Sequence, residues 1–216
     1  MADERPPIPD PIKREVRQRC AFGCVICGIP LYEYDHIVPY SEVQEHTSDN
    51  LVLLCDRHHR EKTNNLLPNE QLAAAAAAPF NVQHGESSPY LVHYGGTRAI
   101  ARLGSNSYVW AQVDHQYGFT VPLVIDLLPV LIFTVQRGNL LLTAQIFGPS
   151  NELLVHVLRN EFVYSVAPWD IEFIGQRLVI RSGPGDILLA LKFDPPSTLT
   201  VERATLWHNG VCVEVE

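Results

Sequence analysis

The chain has 216 residues, of which 46% are hydrophobic and 19% are charged, proportions that are usual for a soluble globular protein. Its formal net charge of −8 argues against a protein that coats nucleic acid nonspecifically. The longest apolar stretch, residues 121–135, contains Pro122, Asp126 and Pro129, so we predict strands there rather than a membrane span.

The N-terminal sequence and the cysteines predict a cytoplasmic protein. The first segment, MADERPPIPDP, is polar and rich in proline and has no apolar run of the kind that directs secretion. Three of the five cysteines lie at spacings typical of metal ligands. Such usage fits a reducing compartment better than a framework of disulfides.

The first third of the chain is predicted to form a β-hairpin followed by a helix. Asp10 is predicted to cap an earlier helix, which has Pro11 at its first position and ends near Gly23. The segments that follow are, in chain order, a tight turn (Cys24–Gly28), an extended stretch (Leu31–Ile37), a short apolar strand (Leu51–Leu54) and a helix with a basic face (Cys55–Asn64).

The sequence PNEQLAAAAAAP, residues 68–79, strongly favours a helix and is bounded by two prolines. We interpret it as a connecting helix or stiff spacer. This interpretation divides the chain into a small domain at residues 1–67, a linker at 68–79 and a larger domain at 80–216.

From Phe80 onward, short alternating apolar runs are separated by turn residues, which is typical of antiparallel β structure. The runs that predict hairpins are Val130–Gln136 with Leu140–Phe147, Trp169–Ile174 with Arg177–Arg181, and Thr200–Trp207 with Val211–Val215. Further strand candidates are Val155–Leu158 and Asp186–Phe193. We expect about eight to ten strands in a sandwich or barrel, and an α+β chain as a whole.

The cysteines of the small domain predict a structural zinc site. Cys24, Cys27, Cys55 and His58 form two pairs of ligands, each with two intervening residues, as tetrahedral zinc requires. His59 is an alternative fourth ligand, although the two-residue spacing favours His58. Buried cysteines without metal are the other interpretation, and we adopt it for Cys20 and Cys212, which lie outside the pattern.

These residues resemble the HNH endonuclease family, which uses a zinc-bearing ββα-metal fold. The features that match are a basic helix before Cys24-x₂-Cys27-Gly28, the run Asp35-His36-Ile37-x-Pro39, the run Asp49-Asn50-Leu51, and the stretch from Cys55 to Thr63. The resemblance covers about residues 12–66. Zinc-bearing members often have cysteine at the position of His58, but histidine is an equally competent ligand.

The resemblance implies a catalytic role for four residues. His36 is expected to be the general base that takes a proton from the attacking water. Asp35 and His59 are expected to hold one magnesium or manganese ion and leave coordination positions for phosphate and water. Asn50 is expected to hold the loop or to orient His36, whereas His46 is interpreted as an exposed loop residue.

Basic residues in two groups predict a phosphate-binding face. The candidates for contact with nucleic acid are Arg14, Arg17, Arg57, Arg60 and Lys62. A solvated helix face is the simpler interpretation of the same residues. The expected partner is DNA, with RNA left open, and a homodimer or a regulatory partner of the β domain is also left open.

The leading interpretation is a metal-dependent DNA endonuclease, with a β domain that supplies targeting, sensing or oligomerisation, as in a restriction-type or antiviral defence enzyme. An alternative is a catalytically silent, zinc-stabilised module that binds nucleic acid or protein. In a third interpretation the β domain binds a ligand through Trp110, Trp169 or Trp207 and switches the nuclease, although core packing also accounts for these aromatic residues.

Overall fold

The computed structural model describes residues 6–112 and 116–216, and the chain divides into two compact units, Met1–Ser88 and Pro89–Glu216. Of the helices in the described residues, none has the length and apolar character needed to cross a membrane. The described elements of the first unit are helices α1 (Asp10–Arg19), α2 (Tyr40–Val43), α3 (Asp56–Thr63), α4 (Asn69–Ala77) and α5 (Phe80–His84), and strands β1 (Glu33–His36) and β2 (Leu51–Leu54).

The first unit has the predicted ββα arrangement. Strands β1 and β2 pair antiparallel, with Asp35 opposite Val52 and His36 opposite Leu51. All four residues of β2 are buried, so this strand forms the centre of a core to which α1 contributes Val16. Helix α1 begins at Asp10 rather than after it, because Pro9 is the capping residue and its carbonyl accepts the N–H of Lys13.

Helix α4 belongs to the core of the first unit, although its alanine-rich sequence predicted a linker. Leu72 is fully buried and Ala76 nearly so, and both pack into the core that contains β2. The helix α5 that follows is also part of this unit, where the backbone N–H of Phe80 donates to the carbonyl of Val25. The boundary between the compact units lies at Ser88 and Pro89 instead of within residues 68–79.

The second unit is a single large sheet. Its described strands are β3 (Tyr90–Leu91), β4 (Arg98–Leu103), β5 (Asn106–Ala111), β6 (Tyr117–Ile125), β7 (Leu128–Gln136), β8 (Asn139–Phe147), β9 (Leu153–Leu158), β10 (Glu161–Tyr164), β11 (Asp170–Ile174), β12 (Arg177–Gly183), β13 (Asp186–Asp194), β14 (Thr198–His208) and β15 (Val211–Val215).

The three predicted hairpins are confirmed as β7–β8, β11–β12 and β14–β15. Two of them turn through a residue pair with positive φ, Arg137-Gly138 and Asn209-Gly210, which matches the twist of the strands that they join. The described residues of the second unit contain 13 strands, more than the sequence predicted, because several strands are too short or too exposed to show a clear alternation.

The strands pair antiparallel except where β4 runs parallel to β14. Strand β14 pairs with β13, β4, β15 and β8, so the sheet curls into a half-barrel. Its apolar core contains the ring of Phe162, which lies 5.7 Å from that of Phe173 and 5.4 Å from that of Phe193. These distances are typical of packed aromatic pairs.

Candidate functional site

Four metal-ligand side chains meet in the first unit. Cys24 and Cys27 lie in the turn after α1, Cys55 directly precedes α3, and His58 lies in its first turn. One ligand atom from each of the four residues lies within 4.8 Å of the others. The cluster therefore contains His58, and His59 lies outside it.

The distances within this Cys/His cluster fit a zinc ion. Sγ of Cys27 lies 3.8 Å from Sγ of Cys55, and Nδ1 of His58 lies 3.3 Å from the sulfur atoms of both Cys24 and Cys55. Tetrahedral coordination with Zn–S bonds of about 2.3 Å and Zn–N bonds of about 2.0 Å places ligand atoms roughly 3.5–3.8 Å apart. Three sulfurs and one imidazole nitrogen are also the donors that zinc prefers.

The turn that presents Cys24 and Cys27 depends on Gly28. Gly28 has φ +71°, and its N–H donates to the carbonyl of Cys24 at 2.7 Å. A Cβ at this position would collide with the side chains of Asn81 and Phe80. Only glycine meets both requirements, so α5 packs directly against the turn and holds its shape.

The thiols of the cluster titrate differently from one another. A hydrogen bond with Cys27 lowers the pKa of the Cys24 thiol, whereas the same bond raises the pKa of Cys27. Burial raises the pKa of Cys55. A cation bound in the cluster would favour the thiolate form of all three cysteines.

Asp35 and His59 form the second candidate metal site. Oδ1 of Asp35 lies 3.8 Å from Nε2 of His59, because β1 packs its Asp35 face against α3. The other carboxylate oxygen, Oδ2, forms an ion pair with Nζ of Lys62 at 2.8 Å. Glu33 lies on the same face of β1, with Oε2 3.7 Å from Nδ1 of His59. This arrangement offers an oxygen and a nitrogen ligand to a divalent cation.

His36 lies on the other face of β1, since neighbouring residues of a strand point in opposite directions. It is 3% exposed, and its Nε2 lies 3.1 Å from Nδ1 of His46. The ring of Tyr40 meets it edge-on at 5.4 Å between centroids. The structure thus brings Asp35 and His59 together and surrounds the His36 ring with Tyr40 and His46.

Asn50 fastens the end of the hairpin. Its Oδ1 accepts the backbone N–H of Val38 at 2.8 Å, and its Nδ2 donates to the carbonyl of the same residue at 3.0 Å. Its own carbonyl accepts the N–H of Ile37. These three bonds fix the chain immediately after His36. The two side-chain bonds agree with one of the two roles expected for Asn50, that of holding the loop.

One family model matches the chain, described as HNH endonuclease, over residues 24–65. These residues include the Cys/His cluster and the pair formed by Asp35 and His59. Residues 24–65 are an HNH endonuclease domain. No curated protein and no solved structure matches the chain.

The basic residues near the HNH domain differ in exposure. Arg57 is exposed and pairs with Glu61 at 2.9 Å, and with Arg60 it lines an open groove of about 360 Å³ on the outer face of α3. Lys62 is only 15% exposed and is paired with Asp35. Arg57 and Arg60 are therefore the exposed basic residues of α3, whereas the ammonium of Lys62 is engaged by Asp35.

Two basic residues of α1 were also predicted to contact nucleic acid. Arg17 is 4% exposed, and its guanidinium donates to the hydroxyl of Tyr34 at 3.0 Å. This burial does not fit the predicted contact, because the side chain is occupied in joining α1 to β1. Arg14 is half-buried on the same helix.

Three further residues of the HNH region contact the candidate site, and the sequence did not predict these contacts: Glu33, Tyr40 and His46. Glu33 precedes Asp35 by two residues, so the alternation of a strand could have placed it on the same face. His46 was interpreted as an exposed loop residue, but it is half-buried and contacts His36. No local pattern predicts that contact, because it depends on the path of the chain after α2.

Proposed function

We propose that the HNH domain is a metal-dependent endonuclease that hydrolyses phosphodiester bonds of DNA. The observation that carries this proposal is the approach of Asp35 to His59, 3.8 Å apart, within a domain that matches the HNH endonuclease model. Members of this family act on nucleic acid, so a phosphodiester is the expected substrate.

Zinc has a structural role in this proposal. Cys24, Cys27, Cys55 and His58 supply four protein ligands, which leaves no coordination position for a substrate in a tetrahedral site. A closed site of this kind contributes to folding rather than to chemistry. Its position at the start of α3 fixes the helix that carries His59.

Asp35 and His59 would hold the catalytic cation, a magnesium or manganese ion. When bound, such a cation supplies positive charge that stabilises the phosphate as negative charge develops in the transition state. Lys62 holds the Asp35 carboxylate by its second oxygen. Asn50 fixes the backbone after His36, and His36 is proposed to take the proton from the attacking water.

Arg57 and Arg60 are proposed to contact the phosphates that flank the scissile bond, from the groove along α3. We propose that the second unit supplies targeting, sensing or oligomerisation, and that the protein acts in the cytoplasm as a restriction-type or defence nuclease. The net charge of −8 supports a contact with DNA that is confined to a small surface, because an acidic protein does not coat nucleic acid nonspecifically.

One observation favours a second candidate, a zinc-stabilised module without activity. His36 is 3% exposed and its Nε2 is engaged by His46. A general base needs access to water, so a site that stays in this arrangement would bind nucleic acid without cleaving it. The two candidates make opposite predictions for the same assay.

The test is cleavage of supercoiled plasmid by the zinc-loaded full chain in magnesium or manganese. The variants are His36→Ala and Asp35→Asn, with His93→Ala as a control that removes an exposed histidine of the second unit. We expect nicking or linearisation by the wild type and the control, and losses on the order of 10²-fold or more in the two variants. Plasmid that is bound but never cut, in a chain that holds one zinc ion, would favour the silent module.

A further inference from the structure

Residues 80–88, which we call the strap, lie against the turn that carries Cys24 and Cys27, and they lie outside residues 24–65, the HNH match. Hydrogen bonds join the strap to the turn, and in each of them the strap is the donor and a backbone carbonyl is the acceptor. They run from N–H of Phe80 to Val25 at 2.9 Å, from Nδ2 of Asn81 to Ala21 at 2.9 Å, from N–H of Ser88 to Gly28 at 3.0 Å, and from Oγ of Ser88 to Cys27 at 2.5 Å.

The peptide group between Val25 and Ile26 is bonded on both of its sides. Its carbonyl accepts the N–H of Phe80, and the backbone of Ile26 forms a hydrogen bond with the thiol of Cys24. A peptide group is planar, and in the trans form its C=O and N–H point in opposite directions. The bond from Phe80 therefore aims the N–H of Ile26 at the sulfur of Cys24.

The peptide group between Gly28 and Ile29 has the same arrangement at the second cysteine. Its carbonyl accepts the N–H of Ser88, and the backbone of Ile29 forms a hydrogen bond with the thiol of Cys27. The hydroxyl of Ser88 donates to the carbonyl of Cys27, which belongs to the preceding peptide group. Ser88 thus holds two successive peptide groups at the end of the turn.

The position of the two sulfur atoms depends on the shape of this turn. Groups that orient metal ligands from outside the coordination sphere typically change metal affinity by about 10–100-fold when they are removed. A turn whose peptide groups are held on the side away from the metal keeps its N–H groups directed at the sulfurs. Loss of a bond from the strap would free the peptide group to rotate and would weaken the hold on the ligand.

We infer that the strap is part of the zinc site, in which Phe80 and Ser88 position the peptide groups of the Cys24–Gly28 turn on the cysteine sulfurs and so slow the release of zinc. This inference rests on the proposed function in one respect, the structural zinc ion, and it is independent of nuclease activity. The residues needed to hold zinc therefore extend to Ser88, beyond the end of the HNH match.

Phe80 allows the bond to be removed separately from the ring. It is the first residue of α5, a position that tolerates proline, and Pro79 before it has φ −58° and ψ 143°, as a following proline requires. Phe80→Pro removes the ring and the N–H, whereas Phe80→Ala removes only the ring. The difference between these variants reports the bond to Val25. Val82→Ala, at an exposed position of the same helix, is the control.

The first readout is hydrogen exchange of single backbone amides, followed by NMR on the zinc-loaded full chain. We expect the amide of Ile26 to exchange about tenfold faster in Phe80→Pro than in Phe80→Ala, while the amide of Ile29 is unchanged. In Ser88→Ala the affected amide should be that of Gly28, whose peptide group loses the bond from the hydroxyl. Equal exchange of Ile26 in the two Phe80 variants would overturn the inference.

The second readout is the rate at which zinc passes to an excess of a chelating dye. We expect release to be about tenfold faster or more in Phe80→Pro and Ser88→Ala, and Val82→Ala to behave like the wild type. Leu72→Ala weakens the core of the same unit without removing a bond to the turn. Release rates that follow the free energy of unfolding alone, with Leu72→Ala on the same line as the strap variants, would overturn the inference.

The zinc content of the wild type is measured first, by mass spectrometry of the native protein. A chain that binds no zinc would overturn the proposed zinc site, and the inference with it. A chain that binds zinc but releases it equally fast in Phe80→Pro and Phe80→Ala would overturn the role of the strap alone. Absence of DNA cleavage would count against the proposed nuclease and would leave both zinc measurements valid, so the failures are distinguishable.

Discussion

Replacing Lys62 by methionine should weaken the first unit measurably, because this change removes the cation that pairs with Asp35. The two charged atoms lie 2.8 Å apart, and the side chains are only 15% and 16% exposed. At an effective dielectric constant near 20, the attraction at this distance is about 6 kcal/mol. Desolvation of the ammonium and the entropy of the lysine side chain offset much of it, which leaves a net loss of about 1–3 kcal/mol in the free energy of unfolding.

Arg57→Met is the matched control for Lys62→Met. Arg57 lies on the same helix and pairs with Glu61 at 2.9 Å, nearly the same separation, but its side chain is 78% exposed. Water screens an exposed pair of this kind, so we expect no measurable change in stability. Methionine keeps the aliphatic part of either side chain, so the comparison reports the polar contacts of Lys62, which are its ion pair with Asp35 and its hydrogen bond to the carbonyl oxygen of His36.

The assay is urea denaturation of the zinc-loaded chain, followed by two signals. All the described helices lie in the first unit, so circular dichroism at the helical band reports its unfolding. All three tryptophans lie in the second unit, so their fluorescence is an internal reference that neither substitution should alter. Equal losses of stability in Lys62→Met and Arg57→Met would refute the argument, as would a loss in Lys62→Met that is undiminished when Asp35 is already asparagine.

Three further predictions concern other parts of the chain. Cys24→Ser should reduce bound zinc from one ion per chain toward none by mass spectrometry, whereas Cys20→Ala, outside the cluster, should retain it. Leu72→Ala should cost about 2–5 kcal/mol in the circular dichroism transition, since Leu72 is fully buried, and an unchanged transition would show that α4 is a free spacer. Burial raises the pKa of Tyr164, so the contribution of this residue to stability should be constant below about pH 10 and fall above it, where the unfolded chain ionises first. Tyr164→Phe should reduce the alkaline fall in stability followed by tryptophan fluorescence, to which the buried Tyr94 also contributes, and an unaltered alkaline slope would contradict the prediction.

The parts of the fold that the sequence predicted well are those with local determinants. The turn at Cys24–Gly28, the strand β2 and the helix α3 are each specified by nearby residues, such as a glycine at positive φ or a fully apolar run. The hairpin at Asn209-Gly210 is another example, because this dipeptide favours the turn that the strands require. Metal-ligand spacing is local in the same sense, and the Cys/His cluster formed as predicted.

The features that the sequence did not reveal depend on contacts between distant segments. The sequence of α4 was interpreted as a spacer, because alanine is compatible with both an exposed helix and a closely packed one. Only the burial of Leu72 in the folded chain shows that the helix is packed. The burial of Arg17 has the same origin, since its partner Tyr34 lies 17 residues away. The bond between His36 and His46 closes a loop whose path no periodicity specifies.

The two candidate metal sites are linked through α3. Cys55 and His58 are three residues apart and face the Cys/His cluster, while His59 and Lys62 have the same spacing and face Asp35. Residues three apart lie on one face of a helix, and adjacent residues differ by about 100° in direction. A single helix therefore presents zinc ligands on one side and the groups around Asp35 on another. Fixing the start of α3 to the turn at Cys24 restricts its rotation about its own axis, and this rotation determines the distance between His59 and Asp35.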